Sequence, residues 1–333
     1  MRHLYFIGNG FDIHHKLPTR YTDFRKWLRR KDFEAYNWII ELYGVGDEDE
    51  NGNISDETWA WWSYFESHLV DFDVYDDIVD ISKDNQINYA SDDFREGDRY
   101  NGAVEAEVKF EELMSRILGY FDEWVDSIDV EKASNKIKLN RDADFLTFNY
   151  TRTLEQVYNI PSARVHHIHG EAGTGNYILG HGKTYQDIRK KIRSNEPVPD
   201  GDSPEEIEEW YARNYDEVYE NTVGATATKL SEYKKDVDEI IGKNFELFLE
   251  MKDLEVISII GYSFSSIDNP YLSYIIGRVV NKKNLKFEVF CFSDTDRNNA
   301  QDFFLNNGIE EVQYLPFKSL NDILEAKQLT LDL

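Results

Sequence analysis

The sequence predicts an α/β protein: a parallel sheet with helices on both faces. Three observations carry this. Short unbroken apolar runs of strand length recur along the chain, stretches of helical periodicity separate them, and several runs end on Gly, Asn, His or Ser. Runs that are apolar on both alternating faces are those of strands covered on both sides, as parallel strands are.

His3 to Ile7 is the first such run, ending at Gly8. From Tyr21 to Tyr43 apolar groups return at helical spacing: Phe24, Trp27 and Leu28, then Tyr36, Ile39, Ile40 and Tyr43. Gly46 to Glu57 is polar and acidic, a solvated loop. Thr58 to Val70 is an aromatic helix, Ser82 to Tyr100 a long charged surface loop, and Glu105 to Ile128 a further helix. Asp144 to Phe148 resumes the strand pattern, followed by a helix from Thr151 to Asn159. Arg164 to Ile168 and Tyr177 to Leu179 are short strands. Tyr185 to Lys252 is helical, interrupted at Pro197, Pro199 and Pro204. The strand Leu254 to Ile260, helix Asn269 to Val280, strand Phe287 to Phe292, helix Arg297 to Asn306 and strand Val312 to Leu315 complete the chain. The expected organisation is a single α/β core from about 1–20, 141–182 and 253–317, with helical insertions at about 21–140 and 183–252.

Composition narrows the function classes. The 333 residues carry 37 basic and 64 acidic groups, a net charge of −27. A phosphate backbone demands a strong basic patch. Arg25 to Lys31 and Arg189 to Arg193 are short and suit helix faces, so no stable nucleic-acid partner is expected. No stretch reaches the roughly 18 apolar residues of a membrane span, so no membrane is expected. The run Leu4 to Ile7 is too short for a signal peptide, so a cytoplasmic location is expected. A single cysteine, Cys291, excludes an internal disulfide and a multi-thiolate zinc site, and its apolar surroundings predict a small buried side chain.

Ligands of open α/β sheets bind beyond the carboxyl ends of the strands. The segments there are Gly8-Asn9-Gly10-Phe11-Asp12, Asn149-Tyr150-Thr151, His169-Gly170, Gly180-His181-Gly182, Gly261-Tyr262-Ser263 and Ser293-Asp294. Gly8-x-Gly10 permits close backbone approach to a phosphate, and equally an ordinary strand-to-helix turn with Asp12 as helix cap. Asn149 offers donor and acceptor to a ribose hydroxyl or a water. His169 can accept a proton from a hydroxyl. His166 and His167 read as structural. No helical His pair with a carboxylate supports a metal among His14, His15, His167, His169 and His181, so no metal is expected.

These segments, in this order, resemble the AbiH family of phage abortive-infection proteins. The marks are Ile7-Gly8-Asn9-Gly10-Phe11-Asp12, Leu17-Pro18-Thr19-x-Tyr21-x-Asp23-Phe24, Trp62-Ser63-Tyr64-Phe65-Glu66, Phe148-Asn149-Tyr150-Thr151, His167-Ile168-His169-Gly170, Gly180-His181-Gly182, Gly261-Tyr262-Ser263 and Asp268-Asn269-Pro270-Tyr271. More distantly they resemble the sirtuin-type NAD-binding core, with its G-A-G-x-S turn, a proline, T-Q-N-x-D, H-G and G-T-S. Here Asp12 stands for the serine of the first motif and Thr151 for the aspartate of the second. The sirtuin zinc ribbon is absent with its cysteines, which disfavours protein deacetylation.

The resemblance implies a Rossmann-like, sirtuin-like fold and a defence protein that hydrolyses NAD to ADP-ribose and nicotinamide, or binds a related nucleotide. It implies no required cofactor, NAD being substrate or ligand. Gly8, Asn9, Gly10, Phe11, Asp12 and Gly261 would then lie along the nucleotide, with Ser263, Ser293 and Asp294 on its adenosine side and Asn149 and His169 in catalysis. A homo-oligomer or a phage-derived trigger would be the partners. Two other readings stay open: a metal-dependent hydrolase or nuclease-like toxin using Asp12, His169 and Asp268, and a non-catalytic nucleotide-sensing module whose Trp59, Trp61, Trp62 and Trp124 meet a partner.

Overall fold

The computed structural model describes residues 2–49, 52–197 and 203–317. Pro199 lies outside the described residues, as do both ends of the expected single domain. Among the described residues six strands form one sheet: β1 (Arg2–Ile7), β2 (Asp144–Thr147), β3 (Val165–His167), β4 (Leu254–Ile260), β5 (Lys286–Cys291) and β6 (Val312–Pro316). Their order is β3-β2-β1-β4-β5-β6, and every pairing is parallel. This is the strand order of the Rossmann fold. The chain steps outward from β1 through β2 to β3, then crosses to the other side of β1 at β4. Ile7 consequently lies opposite both Thr147 of β2 and Ile260 of β4, at the point where the order reverses.

Burial explains the apolar runs. Leu4 and Phe6 of β1 join one cluster with Leu146, Ile257 and Ile259, covered by Ile275 and Phe304 from the helices Asn269–Arg278 and Asp294–Asn306. Tyr5 and Ile7 face the other way, into Phe145, Leu154, Ile260 and Phe290. All four β1 side chains are fully buried, so both faces of the strand are covered. Each such side chain contributes roughly 1.5–3 kcal/mol.

The chain divides into two compact units. The first takes the described residues of 1–27, 121–178 and 236–333 and holds the whole sheet. The second takes 28–120 and 179–235 and is helical. In the second, helix Glu217–Ser231 packs against Tyr185–Arg193 and Tyr75–Asp84. Trp62, Phe65, Phe110 and Ile117 are fully buried there, whereas Trp59 is exposed.

Several boundaries differ from the sequence expectation. Tyr21 to Tyr43 is two helices, Tyr21–Lys31 and Phe33–Tyr43, because Asp32 leaves helical geometry and its carboxylate accepts from the Ala35 amide at 2.9 Å. The aromatic helix runs from Asp56 to Ser63, and Phe65–His68 follows as a 3-10 turn. The expected loop from Ser82 to Tyr100 starts inside helix Tyr75–Asp84, where Ser82 is buried, and ends in the 3-10 segment Glu96–Tyr100. Tyr177 to Leu179 forms no strand. Its Ile178 amide donates to the His169 carbonyl at 2.8 Å, but three apolar residues do not extend this into a ladder. Cys291, at the end of β5, is half-buried rather than buried.

Candidate functional site

The turn after β1 is locked onto the turn after β4. The Gly8 amide donates to Ile260 O, Gly10 to Gly261 O and Phe11 to Gly8 O, at 2.9–3.0 Å. A Cβ on Gly8 would lie 2.5 Å from the Gly261 oxygen, and one on Gly10 would lie 2.6 Å from the Gly261 Cα. Gly261 itself has φ +64°. The three glycines are therefore required by contact between two backbones, and the amides of Gly8, Gly10 and Phe11 are already donated within the protein. Asn9 is exposed, and its side chain donates to the Thr19 carbonyl at 2.7 Å.

Asp12 does not cap the following helix, Gly10–His14. Asn9 occupies the cap position, and Asp12 sits inside the helix with its carboxylate turned into the protein, fully buried. The reason is a hydroxyl: Thr151 Oγ1 donates to Asp12 Oδ2 at 2.5 Å, with Thr153 Oγ1 3.0 Å beyond. Burial pushes the Asp12 carboxyl up to about 6, opposed by Thr151, Thr153 and the Asn149 side chain. The segment after β2 thus supplies the hydrogen-bonding groups that stabilise this carboxylate, and His167 of β3 adds a favourable charge.

Asn149 is held from both sides. Its amide donates to Thr147 Oγ1 at 3.1 Å, and its carbonyl accepts from His167 Nδ1 at 2.9 Å. His167 Nε2 in turn meets Glu155 Oε1 at 2.9 Å, and both side chains are over nine-tenths buried. Desolvation lowers the His167 pKa, but the Glu155 carboxylate outweighs it and the net direction is upward. His167 thus ties the Asn149 peptide to Glu155. Sequence reasoning missed Glu155, because a Glu on a short helix looks like a solvated residue.

His169, after β3, is buried, with its ring edge-on to Phe148 at 5.0 Å and Tyr271 at 5.7 Å. Its Nε2 lies 3.7 Å from Asp268 Oδ1, close enough to pair with that carboxylate when the ring carries a proton. Beside it, Tyr262 is buried, which pushes its hydroxyl well above the ordinary range, with Asp268 adding to the rise. Four buried polar atoms in these strand-end segments have no hydrogen-bond partner: Asp12 Oδ1, Asn149 Oδ1, Tyr262 Oη and Asn269 Oδ1. Buried polar atoms are paired in roughly nine cases out of ten, so this concentration is unusual.

The remaining candidates sit further out. Ser263 is exposed, and its carbonyl accepts from Asn299 Nδ2 at 3.4 Å. Ser293 caps helix Asp294–Asn306, accepting from the Asp296 amide at 3.2 Å in a capping box, and Asp294 is exposed in the first turn. Of the other histidines, His15 is bound by Phe11 O at 2.6 Å and by the Tyr158 hydroxyl. His181 donates through Nε2 to Leu230 O and accepts from the Lys183 amide, both at 2.9 Å, so both ring nitrogens are committed.

A protein-family model described as "Bacteriophage abortive infection AbiH" matches residues 4–290, most of the chain. No curated protein and no solved structure matches it.

Proposed function

Because the chain belongs to the bacteriophage abortive infection AbiH family, we propose that it acts in that defence by hydrolysing NAD to ADP-ribose and nicotinamide at the strand ends around Asp12, Asn149 and His169. The observation that carries this reading is the set of buried, unpaired polar atoms beside the reversal point of the sheet. An unpaired buried polar group costs about 1–3 kcal/mol. A bound ribose and nicotinamide amide would offer such atoms the hydroxyls and amide they lack.

A second observation favours the sirtuin-type order. The chain departs from it at two positions, carboxylate for hydroxyl at Asp12 and hydroxyl for carboxylate at Thr151. Those two side chains are each other's hydrogen-bond partners. The departures are one exchange, in which donor and acceptor have traded places.

In the proposed reaction the C–N glycosidic bond breaks with its electron pair passing to nicotinamide. Water adds to the ribose carbon, and its proton goes to His169. Asn149, fixed by His167 and Thr147, orients that water or the ribose hydroxyl. Asp268 steadies the imidazolium. Asp12, ionised at neutral pH beside the Asn149 amide, places negative charge near the oxocarbenium-like ribose, where it counts most in a water-poor site. The glycine turn contributes shape rather than free amides. Asp12, Asn149 and His169 are 0, 6 and 3 % exposed, so the site must open to admit substrate. This suits a protein kept inactive until infection.

Purified protein incubated with NAD, alone and with phage-infected extract, is expected to release nicotinamide in at least the second condition. His169→Ala and Asn149→Ala should slow release by about 10²–10⁴-fold, the range of a lost general base. Equal release by wild type and both variants, or none in either condition, would sink the proposal. Tight NAD binding without turnover would move the chain to the sensing class.

A further inference from the structure

Glu155, His167 and Glu171 bring one ligand atom each to within 4.8 Å of one another. They come from three segments: the helix Thr153–Tyr158, the end of β3 and the loop after it. The Ala172 amide, donating to Tyr150 O at 2.7 Å, holds that loop beside the segment that follows β2. His167 is anchored through Nδ1 on a backbone carbonyl and presents Nε2 to Glu155. Metal-binding histidines are held in this manner, one ring nitrogen tied to a carbonyl or carboxylate and the other facing the ion.

The plainer account is a buried ion pair between His167 and Glu155. Two observations go beyond it. The Glu155 side chain is only 7 % exposed, yet its Oε2 has no hydrogen-bond partner, so the ion pair satisfies one oxygen and leaves the other buried and bare. Arg152 Nε lies 2.8 Å from Glu171 Oε1 without the alignment of a hydrogen bond. Glu171 is thus held by charge, and at 34 % side-chain exposure it is not locked in place.

We infer that Glu155, His167 and Glu171 bind a divalent transition cation, Zn²⁺ or Mn²⁺. Bonds of about 2.0–2.2 Å place tetrahedral ligand atoms roughly 3.5 Å apart, which a small inward swing of Glu171 supplies. An imidazole in the set favours these ions over Ca²⁺ and Mg²⁺, which take oxygen ligands. Three protein ligands leave a position for water. Since His167 also holds the Asn149 carbonyl, the ion would stiffen the peptide that carries Asn149. The sequence pointed to no metal here, because the three residues have no motif spacing.

Full-length protein stripped with chelator and dialysed against ZnCl₂ or MnCl₂ is expected to retain one tightly held equivalent per chain by mass spectrometry, with MgCl₂ retaining none. Glu171→Gln should weaken that affinity by about tenfold or more, with the metal-free unfolding temperature unchanged because the side chain is partly exposed. Glu155→Gln, which can still accept from His167, should abolish the tight equivalent. No tight equivalent with either metal, or unchanged affinity in either variant, overturns the site.

Discussion

Asp12→Asn is expected to make the protein more stable at neutral pH and to remove its activity. Burial raises the Asp12 carboxyl to about 6, whereas an unfolded chain titrates it near 3.9. The native state therefore binds this proton more tightly than the unfolded state. The stability associated with it is complete below about pH 4 and is lost as pH rises through about 6. Above that window the folded protein carries a buried, ionised carboxylate that the Thr151, Thr153 and Asn149 side chains stabilise only in part. A two-unit rise corresponds to roughly 3 kcal/mol. Asparagine keeps an acceptor for Thr151 and sheds the charge. Denaturant titrations of wild type and variant at pH 5 and pH 8 should show the variant's advantage growing with pH. Under the proposed NAD hydrolysis the same variant should lose turnover by about 10²-fold or more, the size of a lost electrostatic contact in a closed site. A residue that costs stability and supports activity is the signature of a functional group rather than a packing group. A variant no more stable at pH 8 than wild type would show that the buried charge is solvated by some other route.

The sheet was legible because its strands announce themselves locally. Leu254 to Ile260 is a mainly apolar run between the charged pair Lys252-Asp253 and the turn residue Gly261, and its bounds coincide with β4. Tyr177 to Leu179 misled because three apolar residues satisfy any extended segment. Asp32 could not be recognised as a helix boundary, since an Asp in a helical pattern reads equally as a solvated residue until its carboxylate is seen on the Ala35 amide. The site was legible in part. Gly8, Gly10, Asn149 and His169 stand at strand ends where chemistry is expected. What the sequence could not reveal was partnership across distance. Asp12 and Thr151 are 139 residues apart in the chain, yet a hydrogen bond joins them. Gly8 and Gly261 meet only because β4 crosses to the far side of β1. His167 shows its role only when Asn149 lies at one ring nitrogen and Glu155 at the other.

Gly261→Ala is expected to be among the most damaging single methyls in the sheet unit. The new Cβ would lie 2.3 Å from Phe11 N and 2.5 Å from Gly10 C, main-chain atoms with no rotamer to escape into. The left-handed φ adds about 1–2 kcal/mol for a residue with a side chain. Parting the two turns also breaks the Gly10 amide bond to Gly261 O, worth about 1 kcal/mol, before any clash is counted. These two terms alone come to about 2–3 kcal/mol, a large share of the 5–15 kcal/mol that holds a domain together, and with the clash added should lower Tm by several degrees or prevent soluble expression. Gly8→Ala, 2.5 Å from the Gly261 oxygen, should behave alike. Gly119→Ala is the control: it lies in helix Asn101–Asp126 with nothing within 4 Å of the added carbon, so it should be neutral or stabilising by up to about 1 kcal/mol. Melting curves of the three variants decide the matter, and a Gly261→Ala protein as stable as Gly119→Ala would mean the two turns are not in contact. The order of effects also governs how activity is read. The glycines that look most like a phosphate loop serve the backbone first, so a dead Gly8 or Gly261 variant reports on folding. Loss of turnover with a retained Tm at Asn149, or with a raised stability at Asp12, reports on chemistry.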